Sequence, residues 1–218
     1  MKKAVIFDLD GTLVNSIPMH FHIHQKVCRI LGVTLTKDFF ELKCNGRKES
    51  EFYKIILKKH LGSLKKYNEA RQLSKLEHLK IHYNTLKIFS GVKYTLKKLK
   101  QAGFKIAVAS SSPKKYVKLI LKSNDVINYF DAFVGGDNVA HAKPSPDIFL
   151  AARKKLNIKK SECVVVEDAI AGVQAAKNAK IDCLCLLTSE KRKDIPKYAK
   201  IVEKHILLFD IISKMKTK

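Results

Sequence analysis

The sequence predicts an α/β fold: a doubly wound parallel sheet with a smaller, all-helical domain inserted after the first strand. Three observations carry this. Apolar runs such as Val164-Val165-Val166 and Leu184-Cys185-Leu186-Leu187 lack polar alternation, as suits strands covered on both faces. After Gly91 such runs alternate with helical segments of about ten residues, the rhythm of a parallel sheet. Between the first apolar run and Gly91, residues 16–83 have helical spacing, many Lys and His, and little β-branched alternation.

Taken in order, residues 3–9 form the first strand, closed by the polar turn Asp8-Leu9-Asp10-Gly11-Thr12. Gly32, Gly46 and Gly62 then divide the insert into four helices. A helix over 92–102 leads to a strand at 104–109. A helix over 114–122 leads to a short strand at 132–134, and a helix over 146–156 to a buried strand at 163–166. A helix over 169–179, a strand at 183–187 and a C-terminal helix over 206–214 complete the chain. No internal repeat is visible.

At 218 residues the chain can bury roughly 70% of its unfolded surface without staples. Nine Gly and five Pro exclude collagen-like and low-complexity classes. No apolar run reaches the ~18 residues needed to span a bilayer, and Asp8 and Asp10 interrupt the N-terminal apolar run too early for a signal peptide. A cytoplasmic protein is expected. The odd cysteine count (Cys28, Cys44, Cys163, Cys183, Cys185), with no CxxC pair, points to small core hydrophobes rather than disulfides or zinc ribbons. The net charge of +23 is almost all Lys, spread along the whole chain. Lys is the poorer residue for bidentate phosphate and base recognition, so a pull on small anions is expected rather than a dedicated nucleic-acid partner.

In an open parallel sheet, ligands sit beyond the carboxyl ends of the strands. Asp8 and Asp10 lie there after the first strand; two residues apart, their carboxylates converge, and Gly11 permits the sharp turn. Ser110-Ser111-Ser112-Pro113 follows the next core strand. Ser112 reads as an N-cap and Pro113 as the first helical residue, so free N–H groups and the Ser110 hydroxyl form an anion cradle. Lys143-Pro144 follows the third strand and its loop, and Glu167-Asp168 the fourth. Carboxylates without imidazole or thiolate suit Mg²⁺, and Lys with a helix N-terminus suits phosphate. Together they point to phosphoryl transfer, in which catalysis is mostly positioning and charge neutralisation.

Asp8-Leu9-Asp10-Gly11-Thr12, Ser110, Lys143-Pro144 and Glu167-Asp168, in that order and spacing, resemble the four motifs of the haloacid dehalogenase (HAD) superfamily. The helical insert is similar to its C1-type cap. Residues 143–149 and 166–173 further resemble the branch holding β-phosphoglucomutase and small sugar-phosphate phosphatases; phosphoglycolate phosphatases usually carry Gly-Asp where this chain has Glu167-Asp168. The resemblance implies a Rossmann-like, HAD-like catalytic core at residues 1–15 and 86–218 and a helical cap at 16–85. It implies Asp8 as nucleophile, forming an aspartyl-phosphate, and Asp10 as acid/base. Asp8, the Asp10 carbonyl and Asp168 would hold Mg²⁺, with Glu167 helping to position it. Ser110, the Ser111 amide and Lys143 would grip the phosphoryl oxygens, and Lys143 would offset repulsion between carboxylate and phosphate. Asn15-Ser16 stands where the family often carries Asp-Ser or Asp-Thr, which touches the hinge rather than the nucleophile.

In the cap, His20 falls where that branch often has a pocket-facing His, and with Lys43 and Arg47 is a candidate for reading the substrate. His20, His22 and His24 cannot all bind one metal, because residues two apart on a helix face opposite ways. His20/His24 and His78/His82 have the i, i+4 spacing that a transition-metal site could use, with ordinary cap histidines as the default reading. The expected function is Mg²⁺-dependent hydrolysis of a small, sugar-like phosphomonoester by a monomer or weak dimer. The rivals are a phosphomutase using the same aspartyl-phosphate and, from a different class, a basic nucleic-acid-binding protein with a vestigial pocket.

Overall fold

Strand β1 (Ala4–Phe7) is wholly buried because it lies at the middle of a six-stranded sheet of order β3-β2-β1-β4-β5-β6. The remaining strands are β2 (Lys105–Ala109), β3 (Ala132–Val134), β4 (Cys163–Glu167), β5 (Asp182–Leu186) and β6 (Lys200–Val202), and all pairings are parallel. This computed structural model describes residues 1–189 and 191–217, with the side chains of Leu42 and Cys44 outside that description.

Alternate residues of each strand enter two different cores. Val5, Phe7, Ile106, Val108, Val164 and Val166 pack on one face under α5 (Val92–Gln101), α6 (Lys114–Ser123) and α9 (Leu208–Ser213). Ala4, Ile6, Ala107, Ala109, Cys163 and Val165 pack on the other face under α7 (Asp147–Leu156) and α8 (Ile170–Ala179). This double coverage explains why the strand sequences lack polar alternation. The α/β doubly wound expectation therefore holds.

Between β1 and α5 lie α1 (Ile17–Ile30), α2 (Lys37–Phe39) running on into a π turn (Phe40–Cys44), α3 (Glu49–Leu61) and α4 (Tyr67–Leu79). They share an apolar cluster of their own, built on Val27, Leu31, Phe40, Phe52, Tyr53 and Ile56. Gly62 ends α3 in a left-handed conformation (φ 59°), the usual glycine stop.

The structure differs from the sequence expectations in two places. Strand β6 was not anticipated: it is three residues long, Lys-Ile-Val, in a Lys-rich stretch. Ser112 is not the N-cap of α6. Pro113 occupies that position, with no side-chain cap bond, and the Ser112 hydroxyl is committed elsewhere. Cys28, Cys163 and Cys185 are buried and Cys183 is half-buried, and none of these four is in a disulfide; the Cys44 side chain lies outside the described residues. No helix among the described residues is long and apolar enough to cross a membrane.

Candidate active site

The sheet order reverses direction at β1, whose neighbours are β2 on one side and β4 on the other. A crevice opens at the carboxyl ends of strands at such a switch point. Asp8 continues β1 by one residue, its N–H donating to the Val166 carbonyl at 2.9 Å. Glu167 ends β4 and Asp168 follows it, so three carboxylates meet at one edge, with one oxygen from each lying within 4.8 Å of the others.

Lys143 enters this acidic group from the loop before α7. Its Nζ donates to Asp8 Oδ1 at 2.6 Å and to Glu167 Oε1 at 2.5 Å, with its side chain fully buried. The second Glu167 oxygen accepts the Asp168 and Ala169 N–H groups, each at 2.8 Å. Glu167 is thus saturated by Lys143 and the backbone, and acts on the site through them. Asp168 accepts the Thr12 hydroxyl at 2.6 Å and the Ser189 hydroxyl. Gly11, at φ 81°, brings the β1 turn against Asp168, where a Cβ would overlap the carboxylate.

Three carboxylates against one ammonium leave surplus negative charge in a dry place. Burial pushes the Asp8 carboxyl well above its ordinary range; Lys143 opposes this, while Glu167, Asp168 and Asp10 add to it. Asp168 is pushed up to about 8, by burial first and then by Glu167. Burial alone would lower the Lys143 pKa, but Asp8 and Glu167 reverse that and hold it well above normal, so the ammonium stays charged.

Asp10 faces a different set of partners. Its Oδ1 accepts the Ser16 hydroxyl at 2.7 Å and lies 3.1 Å from His20 Nε2. Its Oδ2 accepts the Ser110 hydroxyl at 3.0 Å and the Ser112 hydroxyl at 2.8 Å. Burial favours the protonated acid, but His20 and then the Ser16 and Ser112 hydroxyls outweigh it and hold the carboxyl well below its ordinary range. The carboxylate of Asp10 therefore lies outside the acidic trio.

A cavity of about 330 Å³ lies between sheet edge and insert, lined by Asp8, Asp10, His20, Asn45, Arg47 and Arg71 among others. Lys75 and Lys115 also reach it, so its walls carry the positive charge that draws anions. Ser111 donates its hydroxyl to the Gly46 carbonyl at 3.0 Å, tying the sheet edge to the insert. Lys43 is exposed and does not line the cavity.

The family model of haloacid dehalogenase-like hydrolases matches residues 5–186. The chain belongs to that family. It is 33% identical over 190 residues to a phosphorylated carbohydrates phosphatase of Thermotoga maritima, covering 83% of this chain and 82% of that one. It is 32% identical over 185 residues to β-phosphoglucomutase of Bacillus subtilis, covering 81% and 80%. Among solved structures, a β-phosphoglucomutase of Clostridium difficile superposes with a TM-score of 0.83 at 25% identity, covering 98% of this chain and 96% of that one. The expected recognition thus holds, and with it the reading of this HAD-like chain as an enzyme of the phosphatase or phosphomutase kind.

Several residues of the HAD-like site were not singled out from sequence: Thr12, Ser16 and Ser189, whose hydroxyls hold Asp168 and Asp10. His78, paired in sequence with His82, is brought from α4 to His20 and His24 instead. Ser16 and Thr12 sit within a few residues of Asp10, so an eye for side-chain turns would have found them. Ser189 carries no local signal, and nothing local signals the meeting of His78 with His20 and His24. Gly172, in the first turn of α8, lies where a Cβ would overlap the Glu167 carboxylate.

Proposed function

We propose that this protein hydrolyses a small sugar phosphate through phosphorylation of Asp8, with Mg²⁺ held by Asp8, Asp168 and the Asp10 carbonyl. The observation that carries this reading is that Asp8 and Asp10 line one cavity yet are held by opposite means, Asp8 by an ammonium and Asp10 by hydroxyls and an imidazole. Two carboxylates with such different environments suit two roles. The donor set also fits the cation: it is all oxygen, crowded, and short of positive charge. When bound, Mg²⁺ supplies charge neutralisation for phosphoryl oxygens.

Asp8 attacks phosphorus while Lys143 screens the approach of carboxylate to phosphate dianion. The P–O bond to the sugar breaks, and Asp10 delivers a proton to the leaving oxygen. Asp10 is held as a carboxylate, with His20 in contact at 3.1 Å, so that proton is loaded before the attack. Asp10 then removes a proton from water, which attacks the phosphorus of the acyl phosphate and frees Asp8. Arg47 and Arg71 on the insert supply charge for a distal part of the substrate, and Ser111 with Gly46 helps keep water out. The exposed position of Lys43 gives it no part in this reading.

The contact of Ser111 with Gly46 favours a second reading, since a phosphomutase must hold off water while a sugar hydroxyl takes the phosphoryl group. Incubation with β-glucose 1-phosphate, a bisphosphate primer and Mg²⁺ separates the two: free phosphate marks a phosphatase, glucose 6-phosphate a mutase. Neither product from any member of a sugar-phosphate panel would overturn the proposal.

A further inference from the structure

His20, His24 and His78 meet on the wall of the cavity that the insert supplies, although two come from α1 and one from α4. Their ring centroids are 5.9 to 6.5 Å apart, and one ring nitrogen from each lies within 4.8 Å of the other two. A tetrahedral ion with Zn–N bonds of about 2.0–2.1 Å holds its nitrogens about 3.4 Å apart, so a small closure of the three rings completes the site. The surroundings are those of ligating histidines, whose second nitrogen is held by an outer partner. His24 Nδ1 pairs with Tyr53 Oη at 2.9 Å, and His78 Nδ1 pairs with the Tyr83 hydroxyl. The Tyr53 contact leaves Nε2 of His24 for a ligand, and Nε2 of His78, which faces Glu49, becomes a donor once an ion enters between them. Glu49 Oε2 lies 3.3 Å from His78 Nε2 and can act as a fourth donor. His22, on the opposite face of α1, lines a separate cavity.

We propose that His20, His24 and His78 form a second cation site, selective for a Zn²⁺-like ion, whose filling draws His20 off Asp10. The two metal positions then differ in kind: oxygen donors at the sheet edge suit a hard ion, and imidazoles on the insert suit a borderline-soft one. His20 belongs to both environments, because its ring touches Asp10 at 3.1 Å and faces His24 and His78. Zinc at the histidines therefore removes the imidazole partner of Asp10 and fills part of the substrate cavity, so it inhibits at micromolar levels while Mg²⁺ activates. The existence of the site does not depend on the proposed reaction; only the inhibition rests on that reading.

Co²⁺ serves as the probe, added to the full chain in saturating Mg²⁺. Four-coordinate Co²⁺ on imidazoles gives intense visible bands, whereas six-coordinate Co²⁺ on carboxylates is nearly colourless. The expected result is one equivalent with intense bands, retained in Asp168→Asn and weakened at least tenfold in affinity in both His20→Gln and His78→Gln. Zn²⁺ should bleach the bands in competition. Bands absent from the wild type, surviving in either histidine variant or vanishing in Asp168→Asn overturn the site. Should a histidine variant misfold, wild-type NMR decides: paramagnetically shifted imidazole resonances from three histidines support the site, and their absence refutes it. In the activity arm, Zn²⁺ should inhibit the wild type, and His78→Gln should lose that inhibition relative to its own zinc-free rate. Failure to find any phosphatase or mutase activity would sink the proposed function and leave the cobalt bands to decide the site.

Discussion

Lys143 Nζ lies 2.6 Å from Asp8 Oδ1, both side chains buried, although 135 residues separate them in sequence. In the proposed reaction, that ammonium stands where an anionic nucleophile meets an anionic substrate. The same ammonium is shared with Glu167, so removing it strands two buried carboxylates. Lys143→Met is expected to cost about 3–5 kcal/mol of stability, the usual penalty for breaking one side of a buried ion pair. Urea denaturation without divalent cation measures it. An unchanged midpoint would mean that the carboxylates are not held as charges.

Magnesium should stabilise this protein, and more so in alkali. Asp8 and Asp168 have folded pKa values above their unfolded ones, Asp168 reaching about 8. An acid raised in this way binds extra protons when folded, so its burial costs stability as pH rises from about 4 toward 8. A cation takes the place of the proton. The Mg²⁺-induced rise in Tm is therefore expected to be larger at pH 8.5 than at pH 6, which thermal scans at the two pH values would check. Equal increments would contradict it.

His24 gives the opposite slope. Burial, and then the nearby His20 charge, lowers its pKa to about 3, against an ordinary value of 6.5. The unfolded chain takes up that proton more readily, so there is no penalty above pH 6.5 and a growing one below it. Each unit below that point costs about 1.4 kcal/mol until the folded pKa is reached. In Mg²⁺-saturated protein, His24→Phe should flatten the fall of stability between pH 6.5 and 4.5 relative to wild type. Parallel curves for the two proteins would refute this.

At Gly172 a general rule should reverse. Gly to Ala inside a helix ordinarily stabilises by about 1 kcal/mol. Here the new Cβ would overlap the Glu167 carboxylate, which positions Lys143. Gly172→Ala is expected to destabilise by about 1–3 kcal/mol and to lower turnover. A gain in Tm would show that Glu167 is free to move.

The parts of the site legible in the sequence were those carried by short contiguous stretches at strand ends: Asp8 with Asp10, Ser110, Lys143, and Glu167 with Asp168. An apolar strand dictates where its own last residue lies, so the acidic trio followed from the sheet alone. Ser112 was misplaced because one hydroxyl serves two competing signals, a helix cap and a carboxylate 102 residues away in sequence. His78 was missed as a partner of His20 and His24 because the packing of α4 on α1 is set by tertiary contacts, not by spacing. Strand β6 escaped because three residues give no period to read.

The central claim is that Asp8 receives the phosphoryl group, and direct trapping tests it. Protein mixed with a ³²P-labelled sugar phosphate and Mg²⁺ is quenched in acid within one turnover, and the modified peptide is sequenced by mass spectrometry. The expected result is label on Asp8 alone, lost in folded Asp8→Asn protein. Label on another residue, or turnover by Asp8→Asn in a clean preparation, would contradict it.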